Sequence, residues 1–275
     1  MKEMPLIIFT LSMQAAVGAV LWATILRLRD KEASAYQTNT LCALILSAVG
    51  VIASLLHLGK PFLALTSMSN FMGSWLSREI FFSGGFFVLL AVFWWLERSH
   101  KAHSLKETAG YLACLSGLAA VFAMAKLYME TIIPAWQSAN TLVDFYATTL
   151  VLGAIVFYVS SGQKGREKLP RLELFVLGIV LVQIAFLPNY VAGLGAMAGA
   201  GQESAALLAG GYSAAVFLRW LLMLGGVFLF LISRTGKFIN QKGFLYTAVG
   251  ILIVGEIMGR YLFYTSGIPI GLGIL

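Results

Sequence analysis

Eight runs of predominantly apolar residues, each long enough to cross a bilayer as a helix, follow one another along the 275-residue chain. A transmembrane α-helix needs roughly 20 such residues to span a hydrocarbon core about 30 Å thick. The runs cover residues 6–28, 39–58, 80–96, 108–128, 143–161, 172–195, 212–233 and 244–267. The sequence therefore predicts an all-α fold, a polytopic membrane bundle of eight transmembrane helices that forms a single integral membrane domain over residues 1–275.

The composition leaves no room for a soluble domain beside this bundle. Apolar residues make up 59% of the chain and charged residues 11%, whereas a soluble domain is about half apolar and about a quarter charged. The first run is longer than the core of a secretory signal sequence, so we expect it to remain in the protein as a helix. These features predict a multi-pass protein of the cell inner membrane.

Basic residues follow the runs alternately, and their positions predict the topology. Of the 19 lysines and arginines, 13 lie in or beside the connections after the first, third, fifth and seventh runs. These are Arg27, Arg29, Lys31, Arg98, Lys101, Lys106, Lys164, Arg166, Lys168, Arg171, Arg234, Lys237 and Lys242. Because cytoplasmic connections carry an excess of Lys and Arg, both termini are expected outside, in the periplasm. The same distribution assigns the net charge of +7 to topology rather than to nucleic-acid binding.

Ionisable residues in the predicted helices collect towards their outer ends. Such side chains are costly inside a membrane and are therefore candidates for function. They are His57, Glu79, Lys126, Arg219, Glu256 and Arg260. The inner half of the predicted bundle carries nothing comparable, which indicates a functional site on the outer side.

Each of these residues also has a structural explanation. Glu79 is expected in the first turn of a helix, where the macrodipole stabilises a carboxylate and Ser77 can act as the N-cap. His57 lies at the C-terminal end of a helix, where a partly protonated imidazole is favoured. The glutamate and arginine of the eighth run are spaced i,i+4 and can neutralise each other, and the other two cations can snorkel to the headgroups. Their collection on one side is better explained by a site.

Two outer connections have distinctive compositions. Between residues 61 and 76, apolar residues recur near helical spacing, which predicts a short helix lying in the membrane interface. These residues are Leu65, Met68, Met72 and Trp75. This helix would anchor the connection or cover a lipid-accessible pocket beneath it. The connection over residues 193–211 is rich in glycine and alanine, which predicts a mobile loop.

A histidine and a carboxylate beside a lipid-accessible pocket suit the oxidation of a quinol, which releases two protons and two electrons. A neutral imidazole and an ionised carboxylate are ordinary acceptors for the two hydroxyl protons. His57 and Glu79 are the candidates for these roles. Their spacing alone leaves the assignment open.

At these residues the sequence resembles the membrane-anchor subunit of the anaerobic dimethyl sulfoxide reductase family. The resemblance lies in the stretch SLLHLGKPFLALTSMSNFMGSWLSREI, residues 54–80, in the stretch GEIMGRYLFY, residues 255–264, and in the eight-helix topology with both ends outside. It implies that His57 and Glu79 are the catalytic residues of a menaquinol site. Three further charged residues of the two stretches are also predicted to bind the quinol. They are Arg78, Glu256 and Arg260.

The resemblance also implies partners for the protein. One is an iron–sulfur subunit with four clusters, and the other is a catalytic subunit with a molybdenum bis-pterin-guanine-dinucleotide cofactor. The anchor would oxidise menaquinol and pass its electrons to the iron–sulfur subunit, without catalysing the terminal reduction itself. Lys60 and Trp75 lie where the family varies, so no role is transferred to them. The terminal acceptor, dimethyl sulfoxide, another N- or S-oxide or an oxyanion, would bind in another subunit and stays open.

The sequence predicts neither a haem nor a metal site in the helices. A membrane haem is normally held by histidines within the helices, and the three histidines are His57, His100 and His103. The last two fall in a predicted cytoplasmic connection, so no ligand pair is available. Cys42 and Cys114 stand alone in predicted helices and are expected to be small packing residues. Iron–sulfur clusters and the molybdenum cofactor are expected only in the partner subunits.

Two other functions are compatible with charged residues in a helical bundle. A secondary transporter is the alternative, but transporters usually show inverted repeats and helices broken near the midplane, and the sequence has neither. A purely structural anchor is a third possibility, and it would leave His57, Glu79 and Glu256 without a role. An electron-transfer subunit that works only within its complex is therefore the leading hypothesis.

Overall fold

The computed structural model describes residues 3–29, 37–57, 68–99, 103–161, 171–234 and 241–271. Within these ranges the protein forms nine α-helices and no strand. The helices are α1 (Met4–Arg29), α2 (Gln37–His57), α3 (Trp75–Arg98), α4 (His103–Met129), α5 (Ala139–Ser160), α6 (Leu172–Gly195), α7 (Ala200–Ala206), α8 (Ser213–Arg234) and α9 (Gln241–Thr265). Two 3₁₀ turns, Met68–Asn70 and Pro134–Trp136, and a π-helical turn, Leu207–Gly211, lie between them.

All the helices except α7 are long and apolar enough to cross a membrane, which makes eight candidate spans. The eight predicted spans are thus confirmed, and the sixth agrees with α6 at both ends. The main differences are at two N-termini. Helix α3 begins at Trp75 rather than at residue 80, and α4 begins at His103 rather than at residue 108. His100 and the side chain of His103 lie outside the described part of the protein, and the outside position of the termini stays a prediction.

The protein divides into two compact units. The first unit comprises Met1–Leu127 and Thr148–Pro170, and the second comprises Tyr128–Ala147 and Arg171–Leu275. Helices α1 to α3 belong to the first unit, and α6 to α9 belong to the second. The expectation of a single domain over residues 1–275 stays a prediction.

The first unit is built around α1, which has the largest share of buried residues among the eight candidate spans. Helix α1 packs against α2, and α2 packs against α3. The C-terminal part of α5 approaches α1 so closely that a Cβ at Gly18 would overlap the carbonyl oxygen of Thr149, and one at Gly153 would overlap the backbone of Gly18. The indole of Trp22 donates a hydrogen bond to the carbonyl of Leu150 at 3.1 Å. Small residues allow such close approach of membrane helices.

The second unit is held together along its helices and at one end. Helix α8 packs against both α6 and α9. Two hydrogen bonds hold the 3₁₀ turn Pro134–Trp136 in place. The Trp136 indole donates to the Phe263 carbonyl at 2.8 Å, and the Tyr190 hydroxyl donates to the Ala135 carbonyl at 2.9 Å. These bonds satisfy backbone groups that would otherwise be left without partners beside the bilayer.

The connection over residues 193–211 is folded, so the expectation of a mobile loop is wrong. Helix α7 and the π-helical turn occupy most of it. Gly199 precedes α7 with φ of 61°, a conformation that favours glycine. Ala205 and Leu208 are buried in an apolar cluster of the second unit. Alanine has the highest helix propensity, so a composition rich in small residues also suits a closely packed helix.

The start of α3 differs from the prediction because a different serine caps it. The hydroxyl of Ser74 accepts a hydrogen bond from the backbone N–H of Ser77 at 3.4 Å, and the helix begins at Trp75. Ser77 is therefore not the N-cap, and Glu79 lies in the second helical turn. A carboxylate there gains less from the macrodipole, whose effect falls off within the first turn.

The predicted interfacial helix over residues 61–76 is only partly within the described residues. Leu65 lies outside them, and Met68 begins a 3₁₀ turn of three residues. Trp75 belongs to α3, so its assignment to a separate interfacial helix is wrong.

Candidate functional site

The N-terminal half of α3 buries a polar face. Ser77, Glu79 and Ser83 are 2%, 7% and 5% exposed. Among the described residues, Oε2 of Glu79 has no hydrogen-bond partner. A buried carboxylate oxygen without a compensating bond is costly, which makes Glu79 a candidate for binding a ligand.

His57 and Glu79 are carried to the same end of the first unit. Helix α2 ends at His57, and α3 begins after the connection that follows it. Because α2 packs against α3 and both are candidate spans, the end of one lies on the same side as the start of the other. The imidazole of His57 and all of residues 58–67 lie outside the described part.

Arg78 points its guanidinium at the turn that precedes α3. It donates from Nε to the carbonyl of Phe71 at 3.0 Å and from Nη2 to the carbonyl of Met72 at 2.6 Å. Its Cζ lies 4.2 Å from the centroid of the Trp75 ring, and the Lys126 ammonium lies 5.6 Å from it. Both cations thus meet one aromatic ring. In this structure Arg78 fixes the turn beside Glu79.

The surface at this end of the first unit is apolar. Leu56 is 77% exposed at the end of α2, and Met72 is 84% exposed before α3. Phe81, on α3, is also exposed. Exposed apolar side chains beside a buried carboxylate are suited to a lipid-soluble molecule with a polar head.

A second group of buried polar residues lies in the second unit, centred on Asp144. Its carboxylate accepts hydrogen bonds from Asn140 at 3.1 Å and from Gln183 at 3.3 Å. Nη2 of Arg219 lies 3.8 Å from Oδ1 of Asp144, and its guanidinium stacks over the Trp220 ring at 4.6 Å. Three elements of the unit thus converge on one carboxylate.

Glu256 and Arg260 belong to the same group. They are 1% and 4% exposed, and the Arg260 guanidinium lies 3.9 Å from the centroid of the Phe145 ring. Asp144 and Glu256 are both close enough for their charges to act on Arg260. Glu256 and Arg260 therefore do not form an isolated pair. Of the five predicted site residues, these two lie in the second unit and the other three in the first.

Sequence reasoning missed Asp144 and Gln183. The signal for Asp144 was available, because a carboxylate stood inside the predicted span over residues 143–161. An amide such as that of Gln183 gives a weaker signal in a membrane helix, since its burial costs less than that of a charge.

Buried charges also lie at the opposite end of α3. Glu97 accepts a hydrogen bond from Arg27, and its side chain is 2% exposed. In the second unit Nε of Arg234 donates to Glu173 at 3.1 Å. The expectation that the inner half of the bundle carries nothing comparable is therefore wrong. Helix α3 extends to Arg98, beyond its predicted end at residue 96, so the sequence placed this glutamate in the connection.

No group of three or more His, Cys, Asp or Glu residues that could hold a metal ion occurs within the described ranges. Cys42 and Cys114 are free thiols, half-buried and buried respectively.

Comparison with known proteins identifies the family. The family model of the DMSO reductase anchor subunit (DmsC) matches residues 1–266. The protein belongs to the DMSO reductase anchor subunit family. It is 30% identical to the C subunit of the anaerobic dimethyl sulfoxide reductase of Haemophilus influenzae, over 98% of both proteins. It is 26% identical to the C subunit from Escherichia coli K12, over 99% of this protein and 97% of the relative, and 25% identical to the YnfH subunit of the same strain.

Membership of the family confirms several predictions. This anchor subunit is a multi-pass protein of the inner membrane, as its eight candidate spans require. Association with a catalytic and an iron–sulfur subunit follows from its place in the family, and the metal cofactors belong to those subunits. Both stretches that carried the resemblance, residues 54–80 and 255–264, lie within the matched range.

The position of Arg219 in this anchor subunit depends on a glycine of α9. A Cβ at Gly259 would lie 2.5 Å from Nε and 2.6 Å from Cζ of Arg219, whereas one at Gly250 on the same helix would meet nothing within 4 Å. We expect Gly259→Ala to displace the guanidinium from Asp144 and to destabilise the protein by about 1–3 kcal/mol.

Gly250→Ala is the matched control, and it should be neutral or stabilising by about 0.5–1 kcal/mol because alanine is the better helix former. Thermal unfolding of the detergent-solubilised complex checks both variants. Equal melting temperatures for the two variants would contradict the packing described for Arg219.

Proposed function

We propose that this anchor subunit oxidises menaquinol and passes the two electrons to the iron–sulfur subunit of its complex. The observation that carries the proposal is the buried carboxylate of Glu79, whose Oε2 has no hydrogen-bond partner among the described residues. A quinol hydroxyl is a suitable donor to this oxygen. Oxidation converts the quinol to a quinone, two protons and two electrons, so the site needs two proton acceptors.

The two proposed acceptors are Glu79 and His57. An ionised Glu79 accepts the proton of one quinol hydroxyl, and a neutral imidazole at His57 accepts the other. Support comes from the common end of the two helices in the first unit and from the exposed apolar residues there, which would contact the isoprenoid tail. Both residues lie in the stretch that carried the family resemblance.

Arg78 is proposed to bind the quinol headgroup as part of the turn that it holds. Its bonds to two backbone carbonyls fix that turn beside Glu79. Glu256 and Arg260 are proposed as further quinol-binding residues on the family stretch over residues 255–264. Their burial in the second unit supports a role other than contact with lipid.

We further propose that protons and electrons leave on the side where Glu79 lies, which loop charges predict to be the periplasm. The residues of α3 buried between Ser83 and Glu97 are the apolar Phe86, Leu90 and Phe93, so this helix offers no relay for protons to its other end. Electron tunnelling decays steeply with distance, and a hydrocarbon core of about 30 Å separates the two sides. The iron–sulfur subunit should therefore dock on the side of the quinol site.

We expect Glu79→Gln and His57→Ala each to lower the rate of menaquinol oxidation by about 10²-fold or more, because each removes a proton acceptor. Assembly should be retained, since neither change removes an apolar packing surface. The measurement is menaquinol-analogue oxidation by the purified complex, with subunit stoichiometry determined on the same preparation. The exposed Glu203 on α7 supplies a matched control, and Glu203→Gln should be as active as the native protein. Native rates in both site variants would refute the site assignment.

We also expect quinol-dependent turnover to move no net charge across the membrane, because protons and electrons leave on one side. The measurement is the membrane potential of vesicles that contain the whole complex, followed with a potential-sensitive dye. Protease protection should place the iron–sulfur subunit on the side opposite to the basic loops. A potential generated by turnover, or a partner on the side of those loops, would contradict this arrangement.

A further inference from the structure

Ser83 differs from other serines in the helices of this protein. Ser47, Ser160 and Ser233 each donate their hydroxyl to a backbone carbonyl of the preceding turn, at 2.9, 2.7 and 2.7 Å. Ser83 is 5% exposed, and its Oγ has no hydrogen-bond partner within the described residues. Serine in a helix normally satisfies itself with such a carbonyl, so the hydroxyl of Ser83 is left to bond another group.

The neighbour of Ser83 on the buried face of α3 is Glu79. The two residues are spaced i,i+4, which brings their side chains together on one face of the helix. They do not hydrogen-bond each other, and Oε2 of Glu79 likewise has no partner among the residues described. Two polar atoms on this face of α3, one an acceptor and the other chiefly a donor, thus have no hydrogen-bond partner among the described residues.

A quinol hydroxyl matches this pair of groups. An ionised carboxylate only accepts hydrogen bonds, whereas a serine hydroxyl can donate one. The oxygen of a quinol can donate its proton to the carboxylate and accept a bond from the serine at the same time. Helix α2 ends on the same side of the unit at His57, the residue proposed above as the acceptor for the other hydroxyl.

We propose that Ser83 binds the quinol, donating its hydroxyl to the same oxygen whose proton Glu79 accepts. The inference rests on the proposed function and adds a residue that neither the family stretch nor the chemistry of proton acceptors indicates. As the O–H bond of the quinol breaks and the proton passes to Glu79, negative charge develops on that oxygen. The Ser83 hydroxyl stabilises this charge, and after two electrons have left for the iron–sulfur subunit it remains bonded to the quinone carbonyl.

The test compares Ser83→Ala with Ser116→Ala in the whole complex. Ser116 lies on α4, and its hydroxyl already donates to the carbonyl of Phe82 at 2.9 Å, so it controls for the loss of a serine hydroxyl in this unit. The probe is a quinoline N-oxide inhibitor, a quinol analogue whose binding is followed by fluorescence quenching. The second readout is the kcat and KM for a reduced naphthoquinone.

We expect Ser83→Ala to weaken inhibitor binding and to lower kcat/KM by about tenfold each, the effect of one hydrogen bond to a charged or charging oxygen. Ser116→Ala should leave both within about twofold of the native values, because the Ser116 hydroxyl already donates to the Phe82 carbonyl and does not need a quinol oxygen as acceptor. Because Ser83 and Glu79 act on one oxygen, the double variant Glu79→Gln with Ser83→Ala should lose less than the product of the two single losses.

The outcomes separate the inference from the proposed function. Native inhibitor affinity in Ser83→Ala, with activity lost in Glu79→Gln, would overturn the inference and leave the proposed function standing. Native activity in Ser83→Ala, Glu79→Gln and His57→Ala alike would overturn both. A lowered melting temperature of Ser83→Ala with unchanged inhibitor affinity would assign the hydroxyl to packing and so also overturn the inference.

Discussion

The cost of placing an unpaired polar group in a membrane-spanning helix is the constraint on which the rest of this structure depends. Most of its buried charges are compensated within their own unit. Glu97 is bonded to Arg27 in the first unit, and Asp144 is surrounded by donors in the second. Glu79 and Ser83 each have a buried oxygen that no described residue satisfies, and they lie four residues apart on one helix. Glu97 also has such an oxygen, but its other carboxylate oxygen accepts a hydrogen bond from Arg27. Two such oxygens on neighbouring residues of one helix face are stronger evidence for a binding site than the presence of a charge alone.

The two units accordingly use charge in different ways. In the second unit the charges of Asp144, Arg219 and Arg260 lie together, and a glycine on α9 leaves space for one of the guanidinium groups. In the first unit the polar face of α3 gives way to apolar residues after Ser83. A helix of this kind can take up protons at one end and gives no path to the other. This is the physical basis for proposing that the quinol site and its electron acceptor share one side of the membrane.

Sequence alone predicted the spans well, because the need for about 20 apolar residues is local and leaves a clear pattern. It failed at the start of α3, where Ser77 was predicted as the N-cap and Ser74 caps the helix instead. It also failed at residues 193–211, where small residues fit a loop or a close-packed helix equally well. Glu79 was found from its charge and the family stretch. Ser83 could not be found, because only the lack of a described hydrogen-bond partner distinguishes its buried hydroxyl from those of other helix serines.

The central claim is that the carboxyl group of Glu79 takes a proton from menaquinol. Infrared difference spectroscopy of the complex, recorded as a bound quinol is oxidised, measures that event directly. The account predicts a new carbonyl stretch of a protonated carboxylic acid on oxidation, present in the native protein and in Glu203→Gln and absent from Glu79→Gln. The same carboxylic acid signal in Glu79→Gln, or no such signal in the native complex during quinol oxidation, would contradict it.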